Sequence, residues 1–204
     1  PTPPPFQPRC SDLSGTIFDG QSSYIDAVAA ENVGGSTGLT IAAWVKRSSS
    51  GSAWDRLLDF GNGQAADNIL VTFASGMEYH VYRGSTVQGI VLGTDNFPVD
   101  VWTHVSVVHS PDGTATIYWD GEPQGSATVW LPAATSRSNL YIGKSNWGAD
   151  PYFSGEMRDV LVCNAALTLD ELAQLRDGSV MPANTSPVIS ESLSSCPPQT
   201  PPPP

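Results

Sequence analysis

The sequence is poor in positive charge and has no long apolar run. Its 204 residues include 9 Lys plus Arg against 20 Asp plus Glu, which gives a formal net charge of −11. The basic residues form no cluster, and neutralising nucleic-acid phosphates needs clustered cations, so nucleic-acid binding is disfavoured. No apolar stretch approaches the ~20 residues of a spanning helix, so no membrane span is predicted.

Cysteine is also scarce. Three cysteines are too few for a disulfide scaffold. Cys10 and Cys196 lie close to the two ends of the chain, so a bridge between them would close a long loop and join both ends. Their positions leave open whether they are bridged or free. Cys163 lies in the apolar run VLVC, which predicts a buried thiol.

Proline is concentrated at the two ends. The chain opens with PTPPPFQPRC and closes with SCPPQTPPPP, segments that favour polyproline II and lack ladder donors. We therefore predict three regions: a Pro-rich arm over 1–13, one folded domain over 14–180 and a second Pro-rich arm over 181–204. Because the first residue is Pro1, we expect the chain to be part of a longer precursor.

The clearest structural pattern runs over residues 102–121, WTHVSVVHSPDGTATIYWDG. Alternating apolar and polar positions on both sides of Pro111-Asp112-Gly113 predict a β-hairpin. Similar short alternating segments with Gly, Asn and Ser turns recur along the domain. The sequence thus predicts an all-β fold, a two-sheet antiparallel jelly-roll sandwich.

One short C-terminal helix is predicted from TLDELAQLRDG. Thr168 and Glu171 form a capping-box pattern, and Gly178 supplies a helix end. Leu169, Leu172 and Leu175 are spaced to share an apolar face.

Five ordered segments resemble the laminin G-like and concanavalin A-like jelly rolls, a superfamily that includes pentraxins and many lectin modules. They are FDGQSSYI, LTIAAWVK, WTHVSVVHSPDGTATIYWDGEPQGS, NLYIG and FSGEMRDVLVCNAALTLDEL. The segments span about 160 residues of the chain. Cys163 departs from the family pattern, which usually has an aromatic residue there.

The resemblance implies a structural Ca²⁺ held by Asp19 and Asp159, completed by backbone carbonyls near Gly20 and by waters. Two other roles remain open for these carboxylates: Asp19 in a local Asx turn, and Asp159 paired with Arg158 or another surface donor.

Catalysis is not expected. Glucanases of this superfamily carry Glu-x-Asp-x-x-Glu on one strand, and none of the six glutamates here has Asp two residues later. The GGSTG segment precedes a strand rather than a helix, so it is not a nucleophile elbow. The three histidines show no metal-binding spacing, and His104 is interpreted as a core or hydrogen-bonded strand residue.

A sugar site on such a sandwich needs exposed aromatic rings near amides and carboxylates. Trp54, Trp130, Trp147 and Tyr152 lie at strand ends or in loops. Trp147, flanked by Asn146 and Asp150, is the best candidate ligand-binding group, although packing over a sheet edge is an equal alternative.

The Pro-rich arms resemble those of hydroxyproline-rich glycoproteins, which are glycosylated and extracellular. Asn184 begins an Asn-Thr-Ser sequon in the C-terminal arm. We therefore expect a secreted, non-catalytic structural or adhesive module of a cell wall or surface appendage. Its partners would be neighbouring copies or other glycoproteins. The alternative is a carbohydrate-binding lectin domain, with glycans as partners and Ca²⁺ as a candidate cofactor.

Overall fold

The structure, a computed structural model, describes residues 15–29, 31–74, 76–91, 97–178 and 187–191. Over these ranges the chain forms thirteen strands and one helix. The bounds are β1 Thr16–Asp19, β2 Ile25–Asp26, β3 Leu39–Arg47, β4 Asp55–Gly61, β5 Ile69–Phe73, β6 Met77–Arg83, β7 Thr86–Val91, β8 Thr103–His109, β9 Thr114–Trp119, β10 Glu122–Thr128, β11 Asn139–Ile142, β12 Ser154–Cys163, α1 Leu169–Asp177 and β13 Pro187–Glu191.

The strands form two antiparallel sheets. The first sheet has the order β1-β12-β3-β8-β9-β10, with β13 also paired to β12, and the second has the order β2-β11-β4-β5-β6-β7. This arrangement confirms the predicted jelly-roll sandwich with one short helix. The hairpin of residues 102–121 forms β8 and β9 in the first sheet, with Val107 opposite Ile117.

Period-two alternation places one face of each sheet in a shared core. On β3, Leu39, Ile41, Ala43 and Val45 all belong to it, as the apolar alternation predicts. On the second sheet, Ile69 and Val71 of β5 face the same core. The outward residues of β5 and β6 are therefore left to form a separate surface.

Helix α1 covers part of the outer face of the first sheet. The capping box is present, since Thr168 Oγ1 accepts from the Glu171 backbone N–H, and Gly178 ends the helix in the left-handed conformation. Leu172 packs on Val108. Leu175 packs against the same cluster, but Leu169 is 58% exposed, so the three leucines do not form one buried face as predicted.

Cys163 is buried beside Ala42 and Leu161, as predicted, and burial raises the pKa of its thiol to about 12.

In the predicted arm 181–204, residues Pro187–Glu191 form β13, an extra strand paired with β12. Pro187 lies at the first position of this strand, where the missing N–H is tolerated.

Candidate functional site

The outer face of the second sheet carries a set of polar and aromatic side chains. Alternation turns Leu70 of β5 and His80 of β6 away from the core, and the register places them directly opposite each other. Asp59 of β4 lies opposite Leu70. The three positions thus form one row across the middle of the sheet.

The loop between β11 and β12, residues 143–153, is fastened to this row through Asp59. The backbone N–H of Asn146 donates to Asp59 Oδ2 at 2.9 Å, and its side-chain amide donates to Asp59 Oδ1 at 2.9 Å. Asn68 adds a further donor to Oδ1 at 2.7 Å. Asp59 is fully buried, so this carboxylate anchors the loop rather than facing solvent.

Arg56 of β4 is the second attachment between the sheet and this loop. Its Nη2 donates to Asp150 Oδ2 at 2.6 Å, and its Nη1 donates to Thr72 Oγ1 at 2.7 Å. Nη1 also donates to the Trp54 carbonyl oxygen, and Nε lies 3.6 Å from Asp59 Oδ2. The Arg56 side chain is only 3% exposed, so its charge is held by neighbours rather than by water.

Aromatic rings surround the outer end of Arg56. The guanidinium carbon lies 5.8 Å from the Trp54 ring centroid and 5.6 Å from that of Trp147. Tyr82 extends the surface, with its ring 5.5 Å from Trp147. Cation–π attraction favours this packing. These aromatic rings therefore partly surround the buried guanidinium of Arg56.

These groups line a cleft of about 310 Å³, which we call the aromatic cleft. Its lining residues are Trp54, Arg56, Leu70, His80, Tyr82, Val87, Trp147 and Asp150. Trp54 is 46% exposed, so a ligand in the cleft can reach this side chain. A concave apolar surface with a few fixed polar groups is the usual form of a small-molecule site.

His80 is held at one wall of the cleft by Glu78, whose Oε2 lies 2.9 Å from His80 Nε2. Burial lowers the pKa of His80, against the opposing charge of Glu78, so the ring is neutral at pH 7 and donates Nε2–H to Glu78. Gly89 of β7 lies opposite His80, where a Cβ would approach the ring Cδ2 to 2.5 Å. Glycine at this position leaves room for the imidazole.

The predicted ligand-binding trio is only partly brought together. Trp147 and Asp150 line the aromatic cleft. The Asn146 amide is occupied by Asp59 and by Asn139, whose Nδ2 donates to Asn146 Oδ1 at 2.7 Å, so Asn146 positions the loop. Sequence reasoning missed Arg56, which lies beside Asp55 in the strand segment DRLLDFG and carries no recognisable binding motif.

The predicted calcium pair does not fit a shared ion. Asp19 lies opposite Ser154 in the β1–β12 register, and Asp159 is five residues further along β12, or about 16 Å away. Asp19 instead forms the alternative local turn, in which Oδ1 accepts from the backbone N–H groups of Ser22, Ser23 and Gln21. These bonds hold the pKa of Asp19 well below its usual range.

Other predicted sites lie apart from the cleft or outside the described residues. Within the described part of the chain, no group of three or more His, Cys, Asp or Glu side chains is placed to hold a metal ion. Cys10, Cys196 and Asn184 lie outside the described residues. No helix among the residues described is long and apolar enough to cross a membrane.

The two remaining histidines belong to the first sheet and are buried. His109 Nε2 lies 3.0 Å from the Val129 carbonyl oxygen and Nδ1 lies 3.0 Å from Tyr79 Oη. A carbonyl can only accept, so Nε2 carries the proton and the Tyr79 hydroxyl donates to Nδ1. His104 packs edge-on against Trp44 at 5.4 Å. Both roles are structural, as interpreted for His104 from the sequence.

The family is shown by a profile match over most of the domain. The Laminin_G_3 profile, described as the concanavalin A-like lectin/glucanases superfamily, matches residues 19–173. The chain therefore belongs to this family. A search of curated protein sequences found no match.

Solved structures share the same fold. One is domain 4 of AbnA, an extracellular arabinanase from Geobacillus stearothermophilus, in complex with arabinotriose (TM-score 0.62, 18% identity, 78% of this chain and 74% of that chain). Another is the sialidase module CBM40 from Ruminococcus gnavus bound to α2,3-sialyllactose (TM-score 0.58, 16% identity, 79% and 96%). A third is the SAP-like pentraxin from Limulus polyphemus (TM-score 0.52, 18% identity, 78% and 79%). At these identities the similarity shows the fold.

Proposed function

We propose that this chain is a non-catalytic carbohydrate-binding module that holds a glycan in the aromatic cleft. The observation that carries the proposal is the placement of Trp54 and Trp147 around the guanidinium of Arg56, with the Asp150 carboxylate beside them. Sugar rings present C–H faces that pack on aromatic rings, and hydroxyls that pair with charged side chains in fixed positions. The cleft offers both kinds of surface.

The rigidity of the cleft supports this function. Asp150 is held by Arg56 and by the Ser145 hydroxyl, which donates to Oδ2 at 2.9 Å. Trp147 is fixed from its backbone, since its N–H donates to Ser145 Oγ at 3.0 Å. A binding group that is already fixed loses less conformational entropy when a ligand arrives.

Two of the fold relatives bind oligosaccharides in their structures, arabinotriose in one and sialyllactose in the other. The arabinanase is described as extracellular, which agrees with our proposal of a secreted location. The structural or adhesive role predicted from the Pro-rich arms depends on residues 1–13 and 181–204, nearly all of which lie outside the described ranges. It stays a prediction, and the geometry of the cleft favours the glycan-binding alternative.

The test is a glycan array followed by calorimetry on the full chain. We expect at least one oligosaccharide to bind, and Trp147→Ala or Trp54→Ala to weaken it at least about tenfold. Trp102→Ala is the matched control, because Trp102 packs against Arg158 beside the other sheet and should leave binding unchanged. Binding to no glycan, or binding indifferent to both cleft tryptophans, would overturn the proposal.

The proposed lack of catalytic activity is tested separately. Each oligosaccharide that binds is incubated with the protein, and the products are separated by chromatography. We expect the oligosaccharide to remain intact. Release of shorter sugars that is lost in Asp150→Asn would instead indicate a hydrolase.

A further inference from the structure

We infer that the aromatic cleft is selective for uncharged glycans and discriminates against sugars that carry carboxylate or sulfate groups. The inference rests on the proposed function and names the class of ligand that the site would take. It depends on the sign and availability of the charges around the cleft.

The charges around the cleft are predominantly negative. Asp150 lines it, Asp59 is buried beneath it, and Glu78 lies behind His80. Among the described residues that line the cleft, Arg56 is the only Lys or Arg, and His80 is neutral at pH 7. Three carboxylates therefore surround one guanidinium, and an anionic ligand would enter a field of its own sign.

The one cation is already engaged. Binding a carboxylate in bidentate fashion requires two parallel N–H donors from the guanidinium. Arg56 Nη1 donates to Thr72 and to the Trp54 carbonyl, and Nη2 donates to Asp150. The remaining nitrogen, Nε, has no hydrogen-bond partner among the described residues, but it is buried and lies 3.6 Å from Asp59 Oδ2, so it is not available to a ligand. An acidic sugar would have to displace Asp150 and then remain beside its unpaired charge, which is unfavourable in a partly dry cleft.

An uncharged sugar can instead donate a hydrogen bond to the Asp150 carboxylate. Both hydrogen bonds that the Asp150 carboxylate accepts reach Oδ2, and the side chain is 21% exposed. Among the described residues, no donor is bonded to Oδ1. This oxygen is a fixed acceptor for a sugar hydroxyl, in the same cleft as the Trp147 ring on which that sugar would stack.

The experiment measures affinities for matched neutral and acidic oligosaccharides: lactose against 3′-sialyllactose, and galactotriose against trigalacturonate. We expect the neutral member of a binding pair to bind at least about tenfold more tightly at low salt. The ratio should fall as salt rises, because like-charge repulsion is screened. The ratio of the neutral to the acidic affinity, and its salt dependence, are measured on the wild-type protein. This part of the test therefore does not depend on whether a variant folds.

Asp150→Asn should weaken binding of the neutral sugar and bring the ratio closer to one, whereas Asp112→Asn, in an exposed turn of the hairpin, should change neither. Equal or tighter binding of the acidic members, lost in Trp147→Ala, would overturn the inference and leave the proposed function standing. If neither pair binds, the neutral and acidic glycans of the array are compared in the same way, and binding of acidic glycans alone would overturn the inference. If no glycan of the array binds, both fail together.

Discussion

Arg56 and Asp150 are joined by a 2.6 Å hydrogen bond between residues 94 positions apart in the sequence. Arg56 belongs to strand β4 of the second sheet, and Asp150 belongs to the loop between β11 and β12, which has no helix or strand of its own. The bond therefore fixes this irregular loop to the rigid floor of the aromatic cleft. The shape of the cleft, and with it the proposed glycan binding, depends on this connection.

Arg56→Met should destabilise the domain by about 3 kcal/mol, because removing one member of a buried charged group leaves its partners without compensation. The measurement is urea unfolding at pH 7, with Arg83→Met as the control. Arg83 is exposed on β6 and stacks on Trp130, so its replacement should cost less than about 1 kcal/mol. Equal effects of the two substitutions would contradict the role assigned to Arg56.

Tyr79→Phe should lower the free energy of unfolding by about 1–3 kcal/mol. It removes the hydroxyl that donates to His109 Nδ1 and leaves a buried acceptor unpaired. Urea unfolding measures the loss. Tyr118→Phe is the control, since the Tyr118 ring packs beside α1 and the loss should stay within about 0.5 kcal/mol. The proton on His109 Nε2 is separately checked by nitrogen NMR, where an Nδ1–H tautomer would refute the assignment.

The stability of the domain should fall on acidification partly through His104. Burial, then the charge of Arg176, lowers the pKa of His104 to about 4 from 6.5. As the pH falls, the unfolded chain takes up this proton first, so the contribution is complete above pH 6.5 and lost towards pH 4. The difference between the two pKa values corresponds to a contribution of roughly 3 kcal/mol at most to the free energy of unfolding.

His104→Phe isolates this effect, because it keeps a ring against Trp44 and removes the titrating group. Comparing urea unfolding at about pH 7 and about pH 4, we expect the wild type to lose more stability than the variant. His80 and His109 contribute in the same direction in both proteins, since burial lowers their pKa values as well. An identical pH dependence of the two proteins would rule out the proposed contribution.

Val188→Ala should destabilise the domain by about 1–3 kcal/mol, because Val188 of β13 is 3% exposed and packs in the main core. Val28→Ala is the control at a site that is 84% exposed. Urea unfolding compares the two. If Val188→Ala behaved like the control, β13 would not be part of the cooperative domain.

The fold was largely predictable because its signals are local. Alternation along Leu39–Arg47 and along Thr103–His109 depends only on which side of a strand each residue faces. The capping box of Thr168 and Glu171 spans four residues. The strand Pro187–Glu191 is not predictable in this way, because a short apolar segment among prolines resembles a linker until its partner strand is known.

The candidate site was predictable only in part. Trp147 and Asp150 could be identified because an aromatic ring and a carboxylate in a loop are a recognisable pattern for sugar contact. Arg56 could not, since a charged residue in a strand gives no indication of what lies above it. The separation of Asp19 from Asp159 was not predictable for a related reason, because the strand register is not evident from the motifs themselves.

The sequence by itself determined the strands, the inward residues and the capped helix, because each depends on backbone geometry within a few neighbouring residues. Only the tertiary structure decided which outward residues would meet. Arg56, His80 and Asp150 come from three separate segments, and they share the aromatic cleft because the sheet register and the Asp59 anchor bring those segments together. Long-range pairing of this kind depends on the whole fold, and no local pattern encodes it.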